Sequence, residues 1–182
     1  MSPYSASYRQ RAGHLSGYQR TYISQGEQAI GHSPNDLITT VLGSCVSLCL
    51  WDPGQRVGGM NHMLLPEAAS YRDNLSAGAV DIERLINAIL RFGGQRNHLR
   101  AKVFGGASML SGMTDIGARN AEFVLSFLQH EGITCDGAST GGDSARQLKF
   151  WPESGAVKQR LVRNAPVMHR PTELKTNDVE LF

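Results

Sequence analysis

Cysteine is scarce in this chain, with three among 182 residues. An odd, low count excludes a disulfide framework and suits a reducing compartment. No run approaches the ~20 apolar residues that a membrane-spanning helix needs, so insertion into a bilayer is not expected. Charge of one sign is lacking too. Eighteen basic and sixteen acidic residues leave a formal net charge of +2, too small to mark a nucleic-acid surface. The Gly-x-Gly-x-x-Gly dinucleotide signature, the Gly-Lys-Ser/Thr phosphate loop and the Gly-x-Ser-x-Gly nucleophile elbow are all missing. The N-terminal arginines are not followed by an apolar stretch, so the start does not read as a secretory signal. The expectation is a cytoplasmic protein with no cofactor and no nucleic-acid partner.

What is present describes an ordinary globule, 41% apolar and 19% charged, long enough to build its own core. Residues 1–26 stand apart as a basic arm, with Arg9, Arg11 and Arg20, no acid, and four of the five tyrosines. Its expected state is a flexible tail whose later part lies on the domain. Residues 164–182 carry Pro166, Pro171 and mixed charge without periodicity, and read as a C-terminal extension. The domain proper is expected over 27–163. Within it, Leu37–Trp51 and Arg56–Leu64 read as β-structure around an Asp52-Pro53-Gly54-Gln55 turn. Apolar spacing predicts a helix over Ser76–Phe92, stopped by Gly93-Gly94, and another over Asn120–Gln129. Leu99–Phe104 reads as a short strand, and Arg146–Trp151 with Ala156–Val162 as a hairpin. The mixture predicts an α/β or α+β sandwich.

The chemistry-bearing residue is Cys45, which follows the small residues Gly43 and Ser44. Small residues let a substrate approach the sulfur, although free cysteines are also common as buried small hydrophobes. A symmetric hairpin with Trp51 opposite Arg56 sets His62 directly opposite Cys45, and such partners have Cβ atoms about 4.5–5.5 Å apart. A bulge at Gly58-Gly59 would shift this register. An imidazole there lowers the thiol pKa and supplies a proton to a leaving group. Thr39 and Thr40 are the nearest residues that could orient the imidazole. Successive strand residues point to opposite faces, so only one of the two can look into the site. A competing account makes Cys45, Cys49 and His62 zinc ligands, but the Cys-x3-Cys spacing fits no common zinc site. Gly105-Gly106 and Gly141-Gly142 read as tight turns rather than phosphate cradles.

Thr39-Thr40-Val41-Leu42-Gly43-Ser44-Cys45-Val46, His62 and Leu65-Pro66-Glu67 together resemble the CheD family of chemoreceptor glutamine deamidases. The likeness continues through Lys102–Met109 and Ile116–Asn120 to Gly141-Gly142-Asp143-Ser144-Ala145-Arg146, over about residues 25–163. One departure is Ala145, where the family has glycine, because alanine tolerates positive φ poorly. The resemblance implies a sandwich of stacked β-sheets with flanking helices, similar to the deamidase domain of cytotoxic necrotizing toxins. It also implies a Cys45–His62–Thr39 triad, Thr39 lying six residues before the cysteine. The implied reaction converts glutamine side chains of methyl-accepting chemoreceptors to glutamate through a thioester, and extends to glutamyl methyl esters. Gly43 and Ser44 would flank the oxyanion. A CheC-type phosphatase is the implied regulatory partner of a monomer that binds through the open face near Cys45.

Overall fold

The computed structural model describes residues 13–15, 17–65, 71–108 and 116–162. In chain order its elements are β1 (Gly13–Leu15), β2 (Tyr18–Tyr22), β3 (Gln28–Gly31), β4 (Asp36–Leu42), β5 (Val46–Asp52), β6 (Val57–Asn61), α1 (Tyr71–Arg91), β7 (Arg100–Gly105), α2 (Ile116–His130), β8 (Thr134–Thr140), β9 (Ala145–Trp151) and β10 (Ala156–Val162). The strands form two mixed five-stranded sheets, ordered β1-β2-β4-β9-β10 and β3-β6-β5-β7-β8. This is the expected sandwich of stacked sheets with flanking helices.

Alternation on β5 explains the three layers. Val46, Leu48 and Leu50 enter one core with Ile82, Leu85, Ile86 and Ile89 of α1 and Val124 and Leu128 of α2. Cys49 and Trp51 point the other way, into a second core with Ile38, Leu42, Leu148 and Phe150 of the facing sheet. A strand buried on both faces reads as a continuous apolar run rather than an alternating one, and all seven residues of β5 are buried. The two-strand stretch from Leu37 to Trp51 therefore changes sheets at Gly43–Cys45, the only place where it is not strand.

Helix α1 ends where expected. Gly93 adopts φ 96, and the N–H of Gly94 reaches the Ile89 carbonyl at 3.1 Å, a left-handed stop that saves the last carbonyls from being orphaned. Both helices begin earlier than their apolar stripes suggest, at Tyr71 and Ile116. The boundary expected at residue 27 is not a break in the structure. Strand β2 runs parallel to β4, with Arg20 beside Leu37 and Tyr22 beside Thr39, and Ile23 is buried. Residues 1–12 of the expected arm and the whole 164–182 extension lie outside the described residues. No described helix is long and apolar enough to cross a membrane.

The β5–β6 hairpin departs from the expected register. Trp51 faces Gly58, and Asp52 faces Val57. The loop is four residues long because the Asp52 carboxylate accepts from the N–H groups of Gly54 at 2.8 Å and Gln55 at 3.0 Å, while Arg56 takes φ 55. Gly58-Gly59 is no bulge. A Cβ on Gly59 would lie 2.8 Å from the Ala29 carbonyl oxygen of the neighbouring strand, so close packing is what excludes larger residues. Asp52 also accepts from Gln95 N at 2.9 Å, joining the hairpin to the start of the β7 approach. Burial pushes its carboxyl up, but the three N–H donors and the charge of His98 outweigh this and hold it below 3.8. A depressed carboxyl stabilises the fold above its unfolded pKa, and that contribution is lost as pH falls through the folded value. Asp52→Ala should cost about 2–3 kcal/mol at neutral pH by orphaning those donors. In urea melts the wild-type advantage over this variant should shrink below about pH 4, and an advantage that is constant with pH would contradict the assignment.

Candidate active site

Cys45 lies where the chain crosses from β4 in one sheet to β5 in the other. Every carbonyl of this crossing is tied down. Ala107 N donates to Gly43 O at 2.9 Å and Gly106 N to Cys45 O at 2.8 Å, while Asn120 Nδ2 donates to Ser44 O at 3.0 Å. With the carbonyls drawn back into the protein, the N–H groups of Ser44 and Cys45 meet no backbone carbonyl among the described residues, and that of Cys45 faces its own sulfur. The approach is possible only because Gly105 and Gly106 adopt φ 115 and 66, and a Cβ on Gly105 would collide with the Cys45 carbonyl oxygen. The two glycines are a turn moulded to the cysteine loop, as expected, and no phosphate cradle.

His62 is held from both sides of its backbone by the turn that precedes β3. Gly26 N donates to its carbonyl at 2.7 Å, and its own N–H donates to Glu27 O at 3.0 Å. Val46 and Met63 exchange two hydrogen bonds of 2.9 Å, so Cys45 and His62 flank this bridge on a diagonal. The two-residue register shift keeps them on one face, where diagonal neighbours stand roughly 7–8 Å apart, within reach of a long side chain. Their direct opposition, expected from the symmetric hairpin, is replaced by this diagonal.

The threonine beside His62 is Thr40, and this corrects the expected Thr39. Thr40 Oγ1 lies 2.8 Å from His62 Nδ1 and donates to the Ile23 carbonyl at 2.7 Å. Thr39 Oγ1 instead accepts from Arg20 Nε at 3.2 Å. The reason is strand parity. Ile38 and Leu42 point into the core between the sheets, so Thr40 does too, while Thr39 and the exposed Val41 face the other way. A hydroxyl has one proton. Since Thr40 spends it on a carbonyl, its oxygen must accept from Nδ1–H, and the basic lone pair of His62 is left on Nε2.

Burial governs the electrostatics. Desolvation pushes the Cys45 thiol up to about 11, with its own backbone N–H pulling the other way. The expectation that His62 makes this thiol more acidic than a free cysteine is therefore not met. Desolvation also lowers His62 below 6.5, opposed by the Ile23 carbonyl and the charge of Glu27. At neutral pH the two are a neutral thiol and a neutral imidazole. Cys49 is fully buried in the core, its thiol raised further by the same cause. Among the described residues no three His, Cys, Asp or Glu side chains gather in metal-ligating geometry.

Two polar residues of the site carry no role in the sequence reading. Asn120, buried in the apolar stripe of α2, clamps Ser44 and also accepts from Leu65 N at 3.0 Å. A lone asparagine among Ala121, Val124 and Leu128 was the available signal. Ser47 Oγ is buried without a hydrogen-bond partner among the described residues, on the stretch of β5 that runs past His62. Ala145 is extended and buried at the start of β9 and is not among the residues with positive φ, so the glycine-to-alanine departure costs nothing there. Residues 66, 67 and 109 of the resembling motifs lie outside the described residues.

At the junction of the two sheets the structure thus brings together a cysteine, a histidine whose tautomer Thr40 fixes, and loop N–H groups that meet no backbone carbonyl among the described residues. These are the group types that nucleophilic catalysis by a thiol requires. Residues 64–161 match the family described as CheD chemotactic sensory transduction. A probable chemoreceptor glutamine deamidase CheD of Caulobacter vibrioides is 47% identical over 174 residues, covering 90% of this chain and 93% of its own length. Proteins of the same description from Acidiphilium cryptum and Agrobacterium fabrum are 47% identical over 149 residues, with coverage of 79% and 78%, and 40% identical over 175 residues, with coverage of 90% and 97%. The chain belongs to the CheD family. Among solved structures, the hypothetical protein YfiH of Bacillus licheniformis has a TM-score of 0.43 at 16% identity, over 62% of this chain and 49% of that one.

The burial of Cys45 sets its reactivity. Its alkylation by iodoacetamide should rise about tenfold per pH unit through neutrality and level off only near pH 11, since the thiolate is the nucleophile. At neutral pH the exposed Cys135 should label before it, as peptide mapping would read out. A Cys45 rate that plateaus near neutrality would mean that His62 holds a thiolate after all.

Proposed function

We propose that this protein deamidates glutamine side chains of methyl-accepting chemoreceptors, with Cys45 as nucleophile, His62 as general base and acid, and Thr40 as the positioning residue of the imidazole. The observation that carries the proposal is the Thr40–His62 hydrogen bond of 2.8 Å, which turns the free lone pair of the base away from Thr40. The names of the curated relatives supply the substrate class.

The chemistry follows from a neutral pair. As Cys45 Sγ attacks the amide carbon, its proton passes to His62 Nε2, so no free thiolate has to be maintained in a buried site. The imidazolium formed is stabilised by the Thr40 oxygen, the Ile23 carbonyl and the charge of Glu27. The amide oxygen gains negative charge as the tetrahedral intermediate forms, and the N–H groups of Ser44 and Cys45 are placed to receive it. His62 then protonates the departing ammonia, leaving a glutamyl thioester. Water, deprotonated by His62, hydrolyses the thioester to glutamate and regenerates the thiol. A methyl ester differs only in releasing methanol, so the same machinery serves glutamyl methyl esters.

Mass spectrometry of receptor cytoplasmic fragments tests this directly. Converted glutamines gain about one dalton each, and Cys45→Ala or His62→Ala should abolish the gain while circular dichroism is unchanged. Thr40→Ala should lower kcat by at least about tenfold with KM held, whereas Thr39→Ala should change it less than about twofold. Because His62 must be neutral to accept the thiol proton, its depressed pKa keeps activity level from neutrality to below pH 6.5, and the acid limb falls only there. Conversion that survives Cys45→Ala, or equal losses from both threonine variants, would sink the mechanism.

A further inference from the structure

Beside the nucleophile sits a glutamine of the chain itself. Cys45 Sγ donates to Gln25 Oε1 at 3.7 Å, while the rest of the Cys45 side chain packs against the apolar core between the sheets. Gln25 stands on the tight turn Ser24–Glu27, closed by Glu27 N to Ser24 O at 3.0 Å and by Ser24 N to Glu27 Oε2 at 2.8 Å, with Gly26 at φ 80. The same turn grips the backbone of His62 on both sides. The Gln25 residue is exposed, so among the described residues the hydrogen bond to the cysteine is what rewards the orientation of its carboxamide.

We propose that Gln25 is a built-in substrate mimic, whose carboxamide occupies the position of a receptor glutamine at Cys45 and has to be displaced before catalysis. The inference rests on the deamidase reading for the identity of what it mimics. The contact explains why the mimic is not consumed. The amide oxygen, not the amide carbon, faces the sulfur, and it accepts the thiol proton instead of lying against the N–H groups of Ser44 and Cys45. Attack needs the carbon at about 3–3.5 Å with the orbitals aligned. The thiol held in this way is protonated and shielded, and an exposed side chain is displaced at little cost when a receptor segment docks. The turn thus couples access to the nucleophile with the backbone that positions the base.

Alkylation by iodoacetamide at about pH 9, where thiolate is present in measurable amount, tests the proposal without requiring a receptor. Gln25→Ala should speed labelling of Cys45 several-fold, leaving Cys49 and Cys135 as internal controls, and should lower the KM for a receptor fragment more than it changes kcat. Gln25→Glu should slow Cys45 labelling and move its pH profile upward, because a carboxylate beside the sulfur disfavours the thiolate. A purely structural side chain would not move that profile. Cys45 labelling unchanged in Gln25→Ala, or an unshifted profile in Gln25→Glu, overturns the mimic, as does peptide mapping that finds residue 25 converted to glutamate in the purified protein. If labelling responds as expected but no receptor fragment is converted, Gln25 gates Cys45 and it is the deamidase reading that fails.

Discussion

One hydrogen-bond relay decides what this site can do: Ile23 carbonyl to Thr40 hydroxyl to His62 Nδ1. A threonine is a weaker partner for an imidazole than a carboxylate, because it brings no charge. It does, however, settle direction. The carbonyl can only accept, so the hydroxyl proton is committed, and the ring must carry its hydrogen on Nδ1. The three members come from three different pieces of chain: the exit of β2, the middle of β4 and the end of β6. The pairing of β2 beside β4, which draws residues 18–23 into the sheet, is therefore a condition for the site rather than an N-terminal embellishment.

The same burial that makes the relay effective sets the protonation states. Desolvation raises the thiol and lowers the imidazole, so it acts on both in the direction of neutrality. An ion pair in this space would have to recover the solvation of both charges from one another and a few dipoles. A neutral pair avoids that cost at rest, and in the proposed mechanism it separates charge only during attack, when the substrate oxygen also develops charge against the loop N–H groups. Among the described residues those N–H groups meet no backbone carbonyl, whereas the carbonyls of the loop are all held. Asn120, Gly106 and Ala107 each hold one carbonyl of the Gly43–Cys45 crossing, and Gly117 lets α2 come close enough for Asn120 to reach. A Cβ on Gly117 would lie 2.5 Å from Gly106 O. Segments far apart in the chain, around residues 43, 105 and 117, are in this sense a single device.

How legible this was in the sequence depended on whether the signal was local. The α1 stripe and its glycine stop, β7, and the β9–β10 hairpin with Trp151 facing Ala156 were readable because spacing and turn chemistry agree there. Cys45 and His62 were legible as a pair because a hairpin joins them, and the register error of two residues preserved their shared face. Strand β8 was not legible. Thr134–Thr140 is an edge strand of small, mostly exposed residues, without the alternation by which half-buried strands are recognised. Nor was β2, since its inclusion depends on parallel pairing with a segment some twenty residues away. Spacing carried over from the resemblance selected Thr39, whereas parity along β4, anchored by Ile38 and Leu42 in the core, selects Thr40.

Parity also explains why this correction matters beyond one side chain. Two adjacent threonines on a strand that separates two environments serve different faces and cannot substitute for each other without a one-residue slip of β4. Such a slip would expel Ile38 and Leu42 from the core between the sheets and bring Val41 inward, and it would break the pairing of Thr40 with Leu148. The cost of moving two large buried side chains into water, about 1.5–3 kcal/mol each, far exceeds what one hydroxyl–imidazole bond contributes, about 1 kcal/mol. The hydrophobic register of β4 thus determines which threonine meets His62, and the chemistry of the site follows from the packing.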